Sequence, residues 1–186
     1  MGYFRLAVLY TALATVANTA TADPTALADL RDGDMRKLAF HETPLAAALT
    51  PFDDGHGSEI TLAAFQGQYL LVNFWATWCA PCRVEMPTLS ALQDDMGSEA
   101  FRVITIATGR NDPIAMEQFF AEISVSNLPL FRDPTQTLAR DMGVLGLPIT
   151  IILDPAGMEI ARLQGDADWN SESARAIIAA LTGAGG

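Results

Sequence analysis

Cys79 and Cys82 are the only cysteines in the chain, and they stand where an apolar run gives way to a helical pattern. That junction constrains the fold more than any other stretch. Tyr69-Leu70-Leu71-Val72-Asn73-Phe74 is short, mostly apolar and bounded by Gly67 and the cysteine turn, so it reads as a buried strand. Pro81 to Met96 reads as a helix, and Pro81 suits its first turn, where the missing N–H would have had no partner. Strand, tight turn and helix place Cys79 at a helix N-terminus. There the free backbone N–H groups and the positive end of the helix dipole favour a thiolate over a thiol. The thiolate is the nucleophile of disulfide exchange. Cys82 follows one turn later, within reach to close a bond back to Cys79.

Two other readings of the pair are weak. A zinc site needs four ligands, yet there is no third cysteine, and His41 and His56 lie far upstream of the pair and apart from each other. A purely structural disulfide across two intervening residues would close too small a loop to remove much unfolded-state entropy. A redox dithiol is the reading that uses the local geometry, and it needs no metal or cofactor beyond the two sulfurs.

The run Trp75-Ala76-Thr77-Trp78-Cys79-Ala80-Pro81-Cys82, followed by Glu85, Met86 and Pro87, resembles the thioredoxin fold. Within it, the chain is similar to the TlpA/ResA group of exported bacterial thiol:disulfide oxidoreductases, most of all to TlpA, from about Pro44 onward. The resemblance implies an α/β fold: a central mixed β-sheet flanked by helices, with an N-terminal β-hairpin extension and a βα-type insertion. It also implies that Pro148, in Gly146-Leu147-Pro148-Ile149-Thr150, is a cis-proline facing the cysteines. Trp78, Pro81, Leu147 and Pro148 then become the expected substrate contacts, with the main-chain groups of Leu147 left free to pair with an extended client peptide.

Glu85 lies three residues after Cys82, on the same helix face. A carboxylate there would take the Cys82 proton or raise a thiol pKa by its charge. The plainer alternative is an early-helix acid favoured by the dipole. Relatives in the TlpA/ResA group carry a glutamate at this place. Asn73 departs from thioredoxin, where a buried aspartate helps deprotonate the resolving cysteine; an amide cannot titrate, so Glu85 is the candidate replacement. Trp75 is expected in the core and Pro87 to kink the helix.

Residues 1–22 carry one charge, Arg5, then a 12-residue largely apolar run from Leu6 to Ala17 and an Ala20-x-Ala22 pair. This reads as a secretory signal cleaved after Ala22. The run is short of the ~20 residues of a spanning helix, with an uncleaved inner-membrane anchor as the alternative. Residues 23–43 suggest a short helix or two packed loosely on the domain, with His41 at the surface. Pro44 opens the thioredoxin-like domain, 44–183, and 184–186 is expected to be a disordered tail. A β-hairpin is expected over Leu45–Glu59, turning at Phe52-Asp-Asp-Gly-His-Gly57. Later expectations are strands at Phe101–Ala107, Leu128–Phe131, Ile149–Leu153 and Met158–Leu163, and helices from Pro113, over Thr135–Met142 and over Asp168–Leu181.

The formal net charge is −11, with acidic residues scattered singly or in pairs. That pattern solvates a surface and disfavours nucleic acid, which needs a basic patch. The expected activity is periplasmic thiol:disulfide exchange by a monomer: Cys79 attacks a client disulfide and Cys82 resolves the mixed disulfide. By resemblance the protein acts as a reductant recharged by a membrane donor of the DsbD or CcdA kind, with clients in cytochrome c or cytochrome oxidase copper-centre assembly. The alternative is a thioredoxin-fold chaperone for a copper or haem-protein client. A peroxiredoxin-type peroxidase is disfavoured, because its turn is Thr-x-x-Cys and Thr77 stands only two before Cys79.

Overall fold

In the computed structural model, residues 24–183 are described. The expected signal segment and the tail at 184–186 lie outside them. One eight-stranded sheet runs through the molecule in the order β1-β8-β7-β4-β5-β6-β2-β3. Its strands are β1 (Ala39–Ala46), β2 (Phe52–Asp53), β3 (Glu59–Ile60), β4 (Tyr69–Trp75), β5 (Phe101–Thr108), β6 (Leu130–Asp133), β7 (Ile149–Leu153) and β8 (Met158–Gln164). The helices are α1 (Pro24–Asp29), α2 (Ala80–Met96), α3 (Pro113–Glu122), α4 (Thr137–Asp141) and α5 (Glu172–Thr182), with short 3₁₀ turns at Gly33–Lys37 and Leu62–Phe65.

β4 is central: it runs parallel to β5 and antiparallel to β7. Buried on both sides, it reads as a continuous apolar run interrupted only by Asn73. Its alternation splits the core in two. Leu70, Val72 and Phe74 face a cluster with Phe65, Leu138 and Met142. Leu71 and Trp75 face the other cluster, with Cys82, Met86 and Leu89 of α2 and Ile177 and Ile178 of α5. Trp75 is fully buried there and stacks on Phe120 at 5.4 Å. The mixed sheet is thereby covered by helices on both faces.

The N-terminal region differs from the sequence reading. Ala39–Ala46 is a strand on the outer edge of the sheet, paired with β8, so Leu45 belongs to it and not to a hairpin. The hairpin that does form is smaller, β2 with β3, and Gly55 and Gly57 take positive φ in its turn. The alternation across β1 is broken by a register shift between Phe40 and Leu45, which hides the strand from a period-two search. Residues 24–38 pack tightly, not loosely: Leu27, Met35 and Leu38 are buried in the α2–α5 cluster. Asp32 N donates to Ser173 Oγ at 3.0 Å, tying the segment to α5.

Smaller shifts have local causes. The strand expected at Leu128–Phe131 starts at Leu130, after Pro129. The last helix begins at Glu172 rather than Asp168, because Ser171 supplies the cap, its Oγ accepting from Ala174 N at 3.3 Å. Gly183 ends it in the left-handed region. Asp112 caps α3, accepting from Ile114 N at 2.9 Å.

Because Met35 is fully buried, Met35→Ala should cost about 2–5 kcal/mol of unfolding free energy in urea, as core truncations do. A loss below about 0.5 kcal/mol, the range of surface substitutions, would place residues 24–38 outside the cooperative core.

Candidate active site

The carboxyl end of β4 delivers the chain into the turn Ala76–Cys79, and α2 starts at Ala80. Cys79 is the N-cap residue of α2, and Cys82 N donates to Cys79 Sγ at 3.3 Å. The two sulfurs are joined, with their Cα atoms 5.3 Å apart. The sulfurs are not equivalent. Cys79 retains 6% exposure, whereas Cys82 has none. An incoming sulfur therefore meets Cys79, and Cys82 is reached only from Cys79. The turn is held from the side: Asn111 Oδ1 accepts from Thr77 N at 2.8 Å and from Thr77 Oγ1 at 3.0 Å. Asn111 Nδ2 in turn donates to Thr108 O at 3.0 Å, fastening the loop to the end of β5.

Behind the dithiol lies a buried polar knot. Glu85, on the turn of α2 after Cys82, is 1% exposed. Its Oε1 accepts from Asn73 Nδ2 at 2.8 Å. Its Oε2 accepts from Ala167 N and from Trp169 Nε1, both at 3.2 Å. Asn73 Nδ2 also donates to Thr150 Oγ1 at 2.9 Å on β7. Among the described residues no Lys or Arg forms an ion pair with Glu85. Burial therefore dominates and pushes its carboxyl up to about 7, against the pull of its three donors. The departure at Asn73 acquires a structural meaning: the amide on β4 touches the acid on α2. A carboxyl held at about 7 has its acid and base forms balanced close to neutral pH.

The Leu147–Pro148 bond is cis, as the resemblance implied. Pro148 is buried and Leu147 half-buried beside a groove of 440 Å³ lined by Trp78, Thr108, Gln136, Ala139, Arg140, Val144, Leu145, Gly146 and Leu147. Trp78, the residue before Cys79, is 64% exposed and forms one wall. Among the described residues neither main-chain group of Leu147 takes part in a hydrogen bond, while Pro148 O accepts from Gly165 N at 3.0 Å. Pro81 is exposed in the first turn of α2. The chain thus brings the dithiol, Glu85, Trp78, Pro81, Leu147 and Pro148 to one end of the sheet. His56 is exposed on the β2–β3 turn, away from them. His41 is only partly at the surface: its side chain is half-buried, with Nε2 2.7 Å from Glu159 Oε1.

Sequence reasoning missed Trp169, Ala167, Thr150 and Asn111. Trp169 is 84 positions from Glu85, and no local pattern links them. Asn111 carried a helix-entry signal, with Asp112 and Pro113, but none for its bond to Thr77.

Fold and site together define a thioredoxin-fold dithiol oxidoreductase. The chain belongs to the AhpC/TSA family, whose model matches residues 42–160. It is 36% identical over 148 residues to the thiol:disulfide interchange protein HelX of Rhodobacter capsulatus, covering 80% of this chain and 74% of that one. It is 27% identical over 113 residues to the thiol-disulfide oxidoreductase ResA of Bacillus subtilis, covering 61% and 62%. Among solved structures, a secreted thiol-disulfide isomerase from Corynebacterium glutamicum superposes with a TM-score of 0.65 at 20% identity, over 82% of this chain and 94% of that one. At that identity the likeness speaks for the fold alone.

Glu85 gives a pH test. The folded protein holds a proton that the unfolded chain releases near the ordinary glutamate value of 4.5, so the stability this proton brings is present below that pH and lost as pH rises through about 7. Urea unfolding of the disulfide-bonded protein should show a loss of about 3 kcal/mol across that window, absent in Glu85→Gln. Equal slopes in the two proteins would mean that Glu85 is not the group responsible.

Proposed function

We propose that this protein is an exported thiol:disulfide oxidoreductase that reduces disulfides in client proteins. The observation that carries the reading is the asymmetry of the dithiol: one cysteine at a helix N-terminus that keeps some exposure, the other with none. In the reduced protein the Cys79 thiolate attacks one sulfur of a client disulfide. A Cys79–client bond forms and the client's other sulfur leaves as a thiolate. Cys82 then loses its proton, with the Glu85 carboxylate as acceptor, and attacks Cys79 Sγ. The second client sulfur leaves as a thiolate, and Cys79–Cys82 closes. Two electrons pass to the client, and the closed disulfide is the form described above.

The groove beside Cys79 suits an extended client segment. Trp78 and Pro81 supply apolar contact, and Leu147 and Pro148 supply a ledge on which the free main-chain groups of Leu147 pair with peptide. We further propose export by a signal cleaved after Ala22, with the folded monomer working in the periplasm. No helix among the described residues is long and apolar enough to cross a membrane. An oxidising compartment requires an electron source, and a membrane donor of the DsbD or CcdA kind would fill that role. The resemblance to the TlpA/ResA group supports clients in cytochrome c or cytochrome oxidase copper-centre assembly.

Reduced protein should catalyse insulin reduction by dithiothreitol, and Cys79→Ser should abolish it. Cys82→Ser should accumulate a mixed disulfide through Cys79 in a periplasmic extract. Undiminished catalysis by Cys79→Ser, or trapping through Cys82 in Cys79→Ser and not the converse, would contradict the proposed roles.

A further inference from the structure

On the face of the sheet opposite α2, a charged cluster stands at the β1–β8 edge. Glu159 of β8 is 3% exposed, and both its oxygens are engaged. Arg162 Nε donates to Oε1 at 2.7 Å and Nη2 to Oε2 at 2.8 Å, a bidentate pair along one strand. His41 Nε2 donates to Oε1 at 2.7 Å. The register shift of β1 delivers His41: residues 41–44 stand opposite Ile160 alone, between the pairs Phe40–Ala161 and Leu45–Glu159. Bulges of this kind re-aim a side chain.

The guanidinium also reaches out of the sheet. Arg162 Nη2 donates to Met142 O at 2.9 Å, and Nη1 sits 3.5 Å from Gly143 O. These carbonyls end α4 and begin the segment Val144-Leu145-Gly146-Leu147, which forms one wall of the groove beside Cys79. Leu145 is 96% exposed, so apolar packing holds little of its tip. The strand-to-strand connection after β1 adds two ties at the same place: Ala48 N donates to Met142 Sδ at 3.1 Å, and Thr50 Oγ1 donates to Asp141 Oδ2.

We propose that Arg162, oriented by Glu159 and His41, is a positioning residue for the client-docking wall: it fixes residues 142–147 so that Leu147 presents its main chain to the client. This rests on the proposed reduction of client proteins. Two considerations favour positioning over bulk stability. Replacing an ion pair withdrawn from solvent by apolar side chains of similar volume often leaves a fold as stable or more so. The planar fork, in contrast, holds its donors in fixed directions toward a carboxylate and main-chain carbonyls at once; an apolar side chain has no donors, and a lysine's compact ammonium lacks that spread.

Arg162→Lys keeps the charge beside Glu159 and removes the fork; Arg162→Met removes both. For each, insulin reduction is compared with reduction of hydroxyethyl disulfide, which is too small to need the wall. The expected result is a kcat/KM for insulin lowered about tenfold through KM, with hydroxyethyl disulfide within about twofold of the parent and the reduction potential unchanged. Amide exchange is the second readout and needs no client. Met142, Gly143 and Val144 N–H groups are bonded within the α4 terminus, and their exchange should quicken at least about tenfold in Arg162→Lys, with the Ala80–Met96 amides unchanged. Parent-like insulin kinetics and parent-like exchange in Arg162→Lys would overturn the proposal. So would equal losses on both substrates together with exchange raised throughout, which would make Arg162 a structural residue only. A parent protein inert toward insulin would instead sink the client-reduction reading, and the exchange result would still report on the wall.

Discussion

The contact between the Cys82 amide and the Cys79 sulfur is the interaction on which the site depends. It exists because a buried strand ends just before a helix that needs a cap. Cys79 fills the N-cap place, where serine or aspartate would ordinarily supply an oxygen. The helix thereby directs its unpaired donors at a sulfur, and the same donors stabilise negative charge on that sulfur when the disulfide opens. In the proposed mechanism fold and chemistry share one device: what caps the helix also prepares Cys79 as the nucleophile. Asn111, reaching across from the end of β5, keeps the turn from drifting off that geometry.

The second sulfur faces a different environment. Cys82 is sealed in the same cluster as Met86 and Trp75, where an isolated charge is costly. In the proposed mechanism Glu85 is the proton acceptor one turn along, and burial holds its carboxyl up at about 7. Three donors from two parts of the chain, β4 and the connection from β8 to α5, hold the carboxylate, and burial opposes them. Stronger donation or a nearby cation would lock it ionised; weaker donation would lock it protonated. Asn73 serves in this balance as a neutral partner that orients the acid without adding charge.

The dithiol, its helix, the central strand and Glu85 were legible because each signal is local: a strand-length apolar run, a proline at a helix start, an i,i+3 spacing. The cis-proline was legible only through resemblance, since nothing in Gly146–Thr150 alone distinguishes it. Trp169 and Asn111 were not legible, because their partners lie on other elements and pairing across a fold leaves no local pattern. The edge strand Ala39–Ala46 escaped for another reason. Its register shift breaks the alternation on which a strand reading depends, and the same shift carries His41 inward to Glu159.

The most direct measurement is the pH dependence of thiol alkylation in the reduced protein, with mass spectrometry assigning each cysteine. A helix-capped Cys79 should react first, with an apparent pKa below the roughly 8.5 of a free cysteine, while Cys82 stays unreactive until higher pH. A Cys82 that alkylates first and titrates lower would contradict the account, because the helix terminus would then not be what makes the nucleophile.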